Sequence, residues 1–328
     1  MKTISEATRK ILVLSQLPGV GPATLNALLK QPGFGTVELE ALPWAPPPVM
    51  RALDEPEMAV RAQERASTIV AAASVDGARI LCPLDDEYPP LLAETPDRPP
   101  ILFVKGDLGP TRARALCVIG TREPTRHGEI IAERVTSYYA AQRWSIVSGL
   151  ALGVDALAHR ATLSAGGHTV AVLAHGLDTV APKNHTALAQ EILAKDGALV
   201  TEYPYGTRPY GPQFVKRDRI QAGLAAAVVL IQTDLRGGSL HASRAALEYG
   251  RVLAYPVPTE ADIAREEPKI QGVLLIDRGE PSEVAAFLKC KAPALSRVRP
   301  LRSRDDYGVL EAELLAFQPG VTEPLRLL

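Results

Sequence analysis

An acidic residue and a histidine lie one helical turn apart in the stretch SIVSGLALGVDALAHRA, residues 145–161. Asp155 and His159 have the i, i+4 spacing that lets two side chains on one helix share a metal ion, and Ser148 is a candidate nucleophile. However, the two metal ligands have no third nearby, and Ser148 lacks the G-x-S-x-G setting of an α/β-hydrolase nucleophile. The pattern therefore favours a structural role, in which Asp155 fixes the start of a helix and His159 packs against a sheet.

Small polar turns follow several predicted strands, and they suit a negatively charged ligand. Gly120-Thr121-Arg122 follows ALCVI, Ser148-Gly149 follows WSIV, and Gly238-Ser239 opens the helix after VVLI. Glycine permits close backbone approach, the free N–H groups of a helix start attract anions, and arginine binds phosphate or carboxylate in a two-pronged manner. Together these turns predict an anion-binding rim, although each glycine alone is equally compatible with a tight strand-to-helix turn.

The segment FVKRDRIQAGLA, residues 214–225, carries a run of charges behind an aromatic residue. A basic strip with a base-stacking ring has this composition, and so does an ordinary solvated helix face, so composition leaves both interpretations open. In the first interpretation the candidate ligands for a nucleic acid are Phe214, Lys216, Arg217, Asp218 and Arg219. Lys183, in the loop after LDTVAP, is a further candidate for a phosphate contact.

A glycine-bearing turn joins two short predicted helices near the N-terminus, in LSQLPGVGPATLNALL. Gly19 and Gly21 in this turn resemble those of a helix-hairpin-helix element, which presents backbone N–H groups to a DNA phosphate without reading bases. Few basic residues adjoin the turn, so a structural or protein-contact role is the alternative.

Short β-branched runs alternate with helical stretches from about residue 78 onward. This βαβ repetition predicts an extended Rossmann-like, doubly wound α/β fold with a mostly parallel sheet, preceded by a small helical domain of the helix-hairpin-helix or SAM-like type. We expect a helical domain over residues 1–75, a Rossmann-like domain over 76–290, and a basic linker with a short tail over 291–328. Ligands of such sheets bind beyond the carboxyl ends of the strands.

Composition and charge indicate where the protein acts and which ligands it can bind. The 328 residues include 36 Lys and Arg against 37 Asp and Glu, so the net charge is −1 and a polyanion must be met by a local patch. Three scattered cysteines, no signal peptide and no apolar stretch long enough to span a bilayer predict a cytoplasmic protein without a membrane partner. The chain lacks a P-loop motif and a full dinucleotide fingerprint, and we expect neither a cofactor nor a metal.

Five segments in order resemble the DNA-processing protein A family (DprA, also called Smf). They are YPPLLAETPDRPPILFVKGDL, CVIGTREPTRHG, IVSGLALGVDALAHRATLSAGGHTVAVLAHGLD, FVKRDRIQAGLA and GGSLHASRAALEYGRVLAYPVP. The resemblance runs from the N-terminal hairpin to about residue 280, and the third segment is its longest and most specific motif.

The resemblance implies a non-enzymatic function: binding and protecting single-stranded DNA, and helping to load a RecA-type recombinase during natural transformation, as a homodimer. It also implies that Gly120, Thr121 and Arg122 line the DNA pocket beside a turn made by Ser148 and Gly149. The arginine-rich helix would contribute Phe214, Arg217 and Arg219, and the last phosphate turn Gly238 and Ser239.

The chain departs from the family pattern at the implied pocket. Asp218 replaces the asparagine of the Arg-Asn-Arg motif, and a carboxylate repels phosphate where an amide can donate to it. Two other functions therefore stay open: a protein-interaction subunit, and a nucleotide-binding enzyme or sensor of the lysine-decarboxylase-like family. The second would use Gly237-Gly238 and a catalytic Glu248, but the proline, third glycine and threonine of that family's signature are missing.

Overall fold

Four helices form the N-terminal segment of the computed structural model, which describes residues 4–36, 45–112 and 114–316. They are α1 (Glu6–Leu14), α2 (Pro22–Leu29), α3 (Pro47–Asp54) and α4 (Pro56–Val75). Ser5 caps α1 by accepting a hydrogen bond from the Thr8 amide at 3.1 Å, and prolines occupy the first turns of the other three, where the lost N–H would be unpaired anyway.

In the described residues, nine strands form one sheet. They are β1 (Arg79–Leu81), β2 (Leu102–Gly106), β3 (Ala115–Ile119), β4 (Ser145–Ser148), β5 (Thr169–Val172), β6 (Ala198–Thr201), β7 (Ala227–Leu230), β8 (Val252–Pro256) and β9 (Val298–Leu301). Their order is β1-β2-β6-β5-β4-β3-β7-β8-β9, and all pairs are parallel except β1–β2 and β2–β6. The predicted mostly parallel, Rossmann-like fold is confirmed, and the strand order reverses between β3 and β7.

Ten further helices of the described part of the chain connect and cover the strands. They are α5 (Pro90–Ala93), α6 (Arg126–Ala141), α7 (Val154–Ser164), α8 (Thr186–Ala194), α9 (Gly211–Gly223), α10 (Leu240–Glu248), α11 (Glu260–Ala264), α12 (Gln271–Arg278), α13 (Pro281–Leu288) and α14 (Asp305–Ala316). None of the helices in the described residues is both long and apolar enough to cross a bilayer.

Both faces of the central strands are buried, which explains their unbroken apolar sequences. Cys117 and Ile119 of β3 share one core with Ile220 of α9, whereas Leu116 and Val118 share another with α6, α7 and α14. The helices α1–α4 have no separate core, because their apolar residues form one cluster with side chains of β1, β2, β5 and β6.

The C-terminal segment differs from the sequence-based expectation of a linker and tail over 291–328. Strand β9 pairs in parallel with β8, and α14 buries Tyr307, Leu310 and Leu314 in the core beneath α6. The sequence does not predict this strand, because β9 is only partly buried and so lacks an unbroken apolar run. It also contains Pro300, which an edge strand tolerates. Residues 317–328 lie outside the described part of the chain.

Candidate nucleic-acid interface

A groove of about 740 Å³ lies beyond the carboxyl ends of β3, β4 and β7, beside the point where the strand order reverses. We call it the strand-end groove. Four segments form most of its lining: residues 119–123, 151–155, 211–221 and 233–242. Open α/β sheets bind ligands at this location, and the anion-binding rim expected from the sequence would lie at the same edge.

The turn after β3 is held tightly against the start of α7. The Thr121 amide donates to the Gln232 carbonyl at 2.8 Å, and the Val154 amide donates to the Thr121 carbonyl at 3.2 Å. A side chain at Gly120 would lie 2.7 Å from the Val154 side chain, so the close approach requires glycine. Arg122 follows on this rigid turn, exposed to solvent, with its guanidinium carbon 6.0 Å from the centre of the Phe214 ring.

One face of α9 forms the floor of the strand-end groove. Phe214, Arg217, Asp218 and Gln221 have the spacing of a single helical face, and all four line the groove. Lys216 is exposed and is not among the lining residues.

Arg219 does not line the groove, contrary to its sequence-based placement there. It lies on another face of α9, where its Nη2 pairs with Glu202 Oε2 at 2.5 Å and its Nε with Asp97 Oδ2 at 3.5 Å. The helical rotation between residues 217 and 219 carries it away from the face that Arg217 occupies.

Arg217 is buried, only 3% exposed, and its guanidinium contacts a carbonyl of β5 and a carboxylate of its own helix. Its Nη1 donates to the Val172 carbonyl at 2.5 Å, and its Nε lies 3.2 Å from Asp218 Oδ1 in an ion pair that is not aligned as a hydrogen bond. A Cβ at Gly149 would overlap Nη1 and lie 2.6 Å from Asp155 Oδ2, so the guanidinium and the Asp155 carboxylate share the space above this glycine. Arg217 therefore contributes more to the groove floor than to its open surface.

The two carboxylates beside Arg217 both have raised pKa values. Burial raises the pKa of Asp155, against the opposing effects of Arg217 and of the Gly149 and Ala151 amides that donate to Oδ2. Burial also raises the pKa of Asp218 to about 7; Arg217 lowers it and Asp155 raises it further. The Gln221 amide donates to Asp218 Oδ1 at 2.9 Å.

The turn before α10 forms another wall. The Ser239 hydroxyl donates to Thr233 Oγ1 at 2.9 Å, and Gly237 packs so closely on Thr233 that a side chain there would overlap it. Gly238 is exposed, with open space around it, which leaves its backbone accessible to a ligand.

Two cations of the groove were not among the predicted site residues. Arg236 is exposed in the loop after β7, and its position directly before the glycine turn could have identified it. Lys269 lies between α11 and α12, and its Nζ pairs with Glu123 Oε2 at 3.1 Å. No local sequence signal places it there, because the fold alone brings this segment to the groove.

The remaining predicted residues lie outside the lining. The buried Ser148 hydroxyl donates to the Val118 carbonyl at 2.7 Å and so ties β4 to β3. Lys183 is exposed just after Pro182, which does line the groove. Gly19, with φ +79°, and Gly21, the N-cap of α2, lie in the N-terminal helical segment and do not line the groove.

Asp155 and His159 do not form a metal site. His159 Nδ1 lies 2.7 Å from Thr169 Oγ1 between helix and sheet, and burial lowers its pKa to about 3. In the part of the chain that the structure describes, no three histidine, cysteine or acidic residues are grouped to hold a metal ion. The structural role expected for these two residues agrees with their contacts.

The chain is similar to proteins that process DNA. The family model for DNA recombination-mediator protein A matches residues 79–270. Protein Smf of Escherichia coli is 40% identical over 214 residues, which are 64% of this chain and 56% of that protein. The DNA processing protein DprA of Bacillus subtilis is 37% identical over 172 residues, 52% of this chain and 58% of that protein. The chain thus spans about half the length of these relatives.

The crystal structure of DNA processing protein A from Streptococcus pneumoniae is similar in fold, with a TM-score of 0.63 at 28% identity, and the match covers 85% of this chain and 99% of that one. The corresponding protein of Helicobacter pylori, described for its single-stranded DNA binding mode, has a TM-score of 0.58 at 23% identity, and the match covers 72% of this chain and 96% of that one. The second likeness concerns the fold alone.

Proposed function

The chain belongs to the DNA recombination-mediator protein A family, and from this membership and the geometry of the strand-end groove we propose that it binds single-stranded DNA there and acts as a recombination mediator. The observation that carries the proposal is the pairing of Arg122 with Phe214 at the groove mouth. A guanidinium that binds phosphate and a ring that stacks a base are the two elements of sequence-tolerant single-strand binding.

The proposed contacts follow from the groove lining. Backbone and side chains of Gly120, Thr121, Arg122, Gly238 and Ser239 would meet phosphates, with Arg236 and Lys269 added to that set. Phe214 would stack a base, and Lys183 and Lys216 would meet phosphates where the strand leaves the groove. Ser148, Gly149 and Arg217 would hold the floor, and Arg219 is omitted because two carboxylates hold it elsewhere.

The partners and setting are further parts of this proposal. The family membership supports loading of a RecA-type recombinase, a homodimer and a cytoplasmic location, and we propose all three. We assign no catalytic step. Glu248, the candidate acid of the lysine-decarboxylase-like alternative, is the last residue of α10 and is not among the groove-lining residues.

Fluorescence anisotropy with labelled oligothymidylate and with a duplex of equal length tests the proposal. We expect the single strand to bind more tightly, with Arg122→Ala weakening it about tenfold or more, as for loss of a charge-assisted contact. Arg61→Ala is the matched control, because Arg61 is an exposed arginine on α4 that does not line the groove and forms an ion pair with Glu57 of the same helix. Equal binding by wild type and Arg122→Ala would contradict the site, and no binding by wild type would contradict the function.

A further inference from the structure

The floor of the strand-end groove groups one guanidinium with two carboxylates. Arg217 pairs through its Nε with Asp218, its Nη1 and Asp155 Oδ2 share the space above Gly149, and all three residues line the groove. With both carboxylates ionised, this cluster carries one net negative charge beneath a groove proposed to hold phosphates. An uncompensated buried charge of the same sign as the ligand opposes binding.

One oxygen of this cluster is placed to accept a proton. Asp218 Oδ1 is occupied by Arg217 and by Gln221, whereas no hydrogen bond to Oδ2 is seen among the described residues. Asp155 differs, because two backbone N–H groups donate to its Oδ2 and favour its ionised form.

We propose that Asp218 couples anion binding to proton uptake: the strand-end groove binds a phosphate chain in the state in which Asp218 Oδ2 carries a proton taken from solvent. The proposal rests on the proposed function in that the anion is DNA. The balance is one proton gained by one carboxylate, with no other bond made or broken, and the cluster becomes neutral in the bound state.

The charged and polar groups that face Asp218 come from several elements. Their charges determine whether protonation of Asp218 strengthens or weakens anion binding. Arg217 and Gln221 belong to its own helix, Asp155 comes from α7, and Arg122 from the turn after β3. The groove walls add the carboxylates Glu123 and Asp234 and the cations Arg236 and Lys269. The groove cations and carboxylates thus balance in number, and protonating Asp218 gives the groove a net positive charge.

Other titratable groups near the cluster do not replace Asp218 in this role. His175 and His159 lie within electrostatic reach of Arg217, but burial, with Arg217 adding to it, lowers the pKa of both, so they are neutral at neutral pH. The pKa of Asp218 is about 7, so Asp218 gains or loses its proton within the pH range in which DNA binding is measured. Phosphates in the groove would raise it further.

Asp218, in place of the asparagine of the family pattern, gives this position a proton that it can exchange with solvent. An asparagine at this position, as in the resembling motif, carries no titratable proton, so residue 218 would not change the charge of the floor as the pH changes. Asp218 therefore makes binding by this chain pH-dependent where the asparagine form would be constant.

The test measures oligothymidylate affinity by anisotropy from pH 6 to pH 8.5 at constant ionic strength, for wild type and Asp218→Asn. We expect wild-type affinity to fall as pH rises, by up to about tenfold per pH unit for one coupled proton. Asp218→Asn should show little pH dependence, match wild type at pH 6 and bind more tightly than wild type at pH 8. Asp54→Asn, at an exposed aspartate at the end of α3, is the matched control and should retain the wild-type profile.

A calorimetric titration of wild type in two buffers of different ionisation enthalpy counts the protons directly, and it keeps the proposal testable if the variant fails to fold. Uptake of nearly one proton per binding event at pH 8, and of much less at pH 6, supports the proposed coupling. Binding with no proton uptake, or a pH profile that persists in Asp218→Asn, overturns the coupling while leaving DNA binding intact. Absence of oligothymidylate binding at every pH overturns the proposed function itself.

Discussion

Two arginines predicted from the sequence to bind DNA have opposite environments. Arg122 is exposed at the groove mouth beside Phe214, whereas Arg217 is buried, donates to the Val172 carbonyl and forms an ion pair with Asp218. A loss of DNA binding after substitution of either residue would therefore have different causes.

We expect Arg217→Ala to destabilise the fold by about 3–5 kcal/mol, because it leaves Asp155 and Asp218 without their buried counter-ion. Arg122→Ala removes only an exposed side chain and should change stability by within about 0.5 kcal/mol. Urea unfolding followed by circular dichroism measures both. Equal stability of Arg217→Ala and wild type would contradict the structural role assigned to this guanidinium.

The sequence identified which residue types form the groove, but it did not show which side chains of the motif face into the groove. The motif FVKRDR contains the Phe214, Arg217 and Asp218 that line it, but it also contains Lys216 and Arg219, which do not. The rotation of a helix relative to a groove depends on how its buried residues pack, and Ile220 and Ala222 on the sheet side of α9 fix that rotation. No charge pattern within the motif carries this information.

At the scale of elements, α14 is part of the Rossmann-like core. Its Glu311 carboxylate accepts from Trp144 Nε1 at 3.0 Å, and its Tyr307 carbonyl accepts from the Tyr139 hydroxyl at 3.0 Å. These bonds and the buried Leu310 attach α14 to α6 and to the residue that precedes β4. The sheet of the described chain therefore extends through β9 to this helix.

Adjacent residues of α14 provide a matched pair of substitutions. Leu310 is 2% exposed and Val309 is 70% exposed. We expect Leu310→Ala to destabilise the protein by about 2–5 kcal/mol, since it removes a buried side chain and leaves a cavity, and Val309→Ala by less than about 0.5 kcal/mol. Thermal melts would show a lower Tm for the first variant alone. Equal melting temperatures would show that α14 is not packed as described.

Some strands can be predicted from local sequence and others cannot. Unbroken apolar runs such as ALCVI and AVVLI mark strands covered on both faces, and small turns after them mark the binding edge. The half-exposed β9 has no such run, so its place beside β8 follows from long-range packing that local sequence does not encode.

At the scale of the whole molecule, the net charge of −1 means that long-range attraction to DNA is weak. Affinity must then come from a few local cations: Arg122, Arg236 and Lys269 in the groove, with Lys183 and Lys216 beyond its rim. The number of these contacts is measurable, because each neutralised phosphate releases condensed counter-ions when the strand binds.

Five phosphate contacts on a single strand predict a slope of about −3.5 for the logarithm of the association constant against the logarithm of salt concentration, at about −0.7 per phosphate. The double change Lys183→Ala with Lys216→Ala should reduce the slope to about −2, and Arg61→Ala should leave it unchanged. Anisotropy titrations at pH 6 across a salt series give these slopes, with Asp218 largely protonated throughout. An unaltered slope in the double variant would show that the DNA makes no phosphate contacts with Lys183 and Lys216 outside the groove. A much steeper wild-type slope would instead require a basic surface elsewhere on the molecule, which the balanced composition of the chain makes hard to supply.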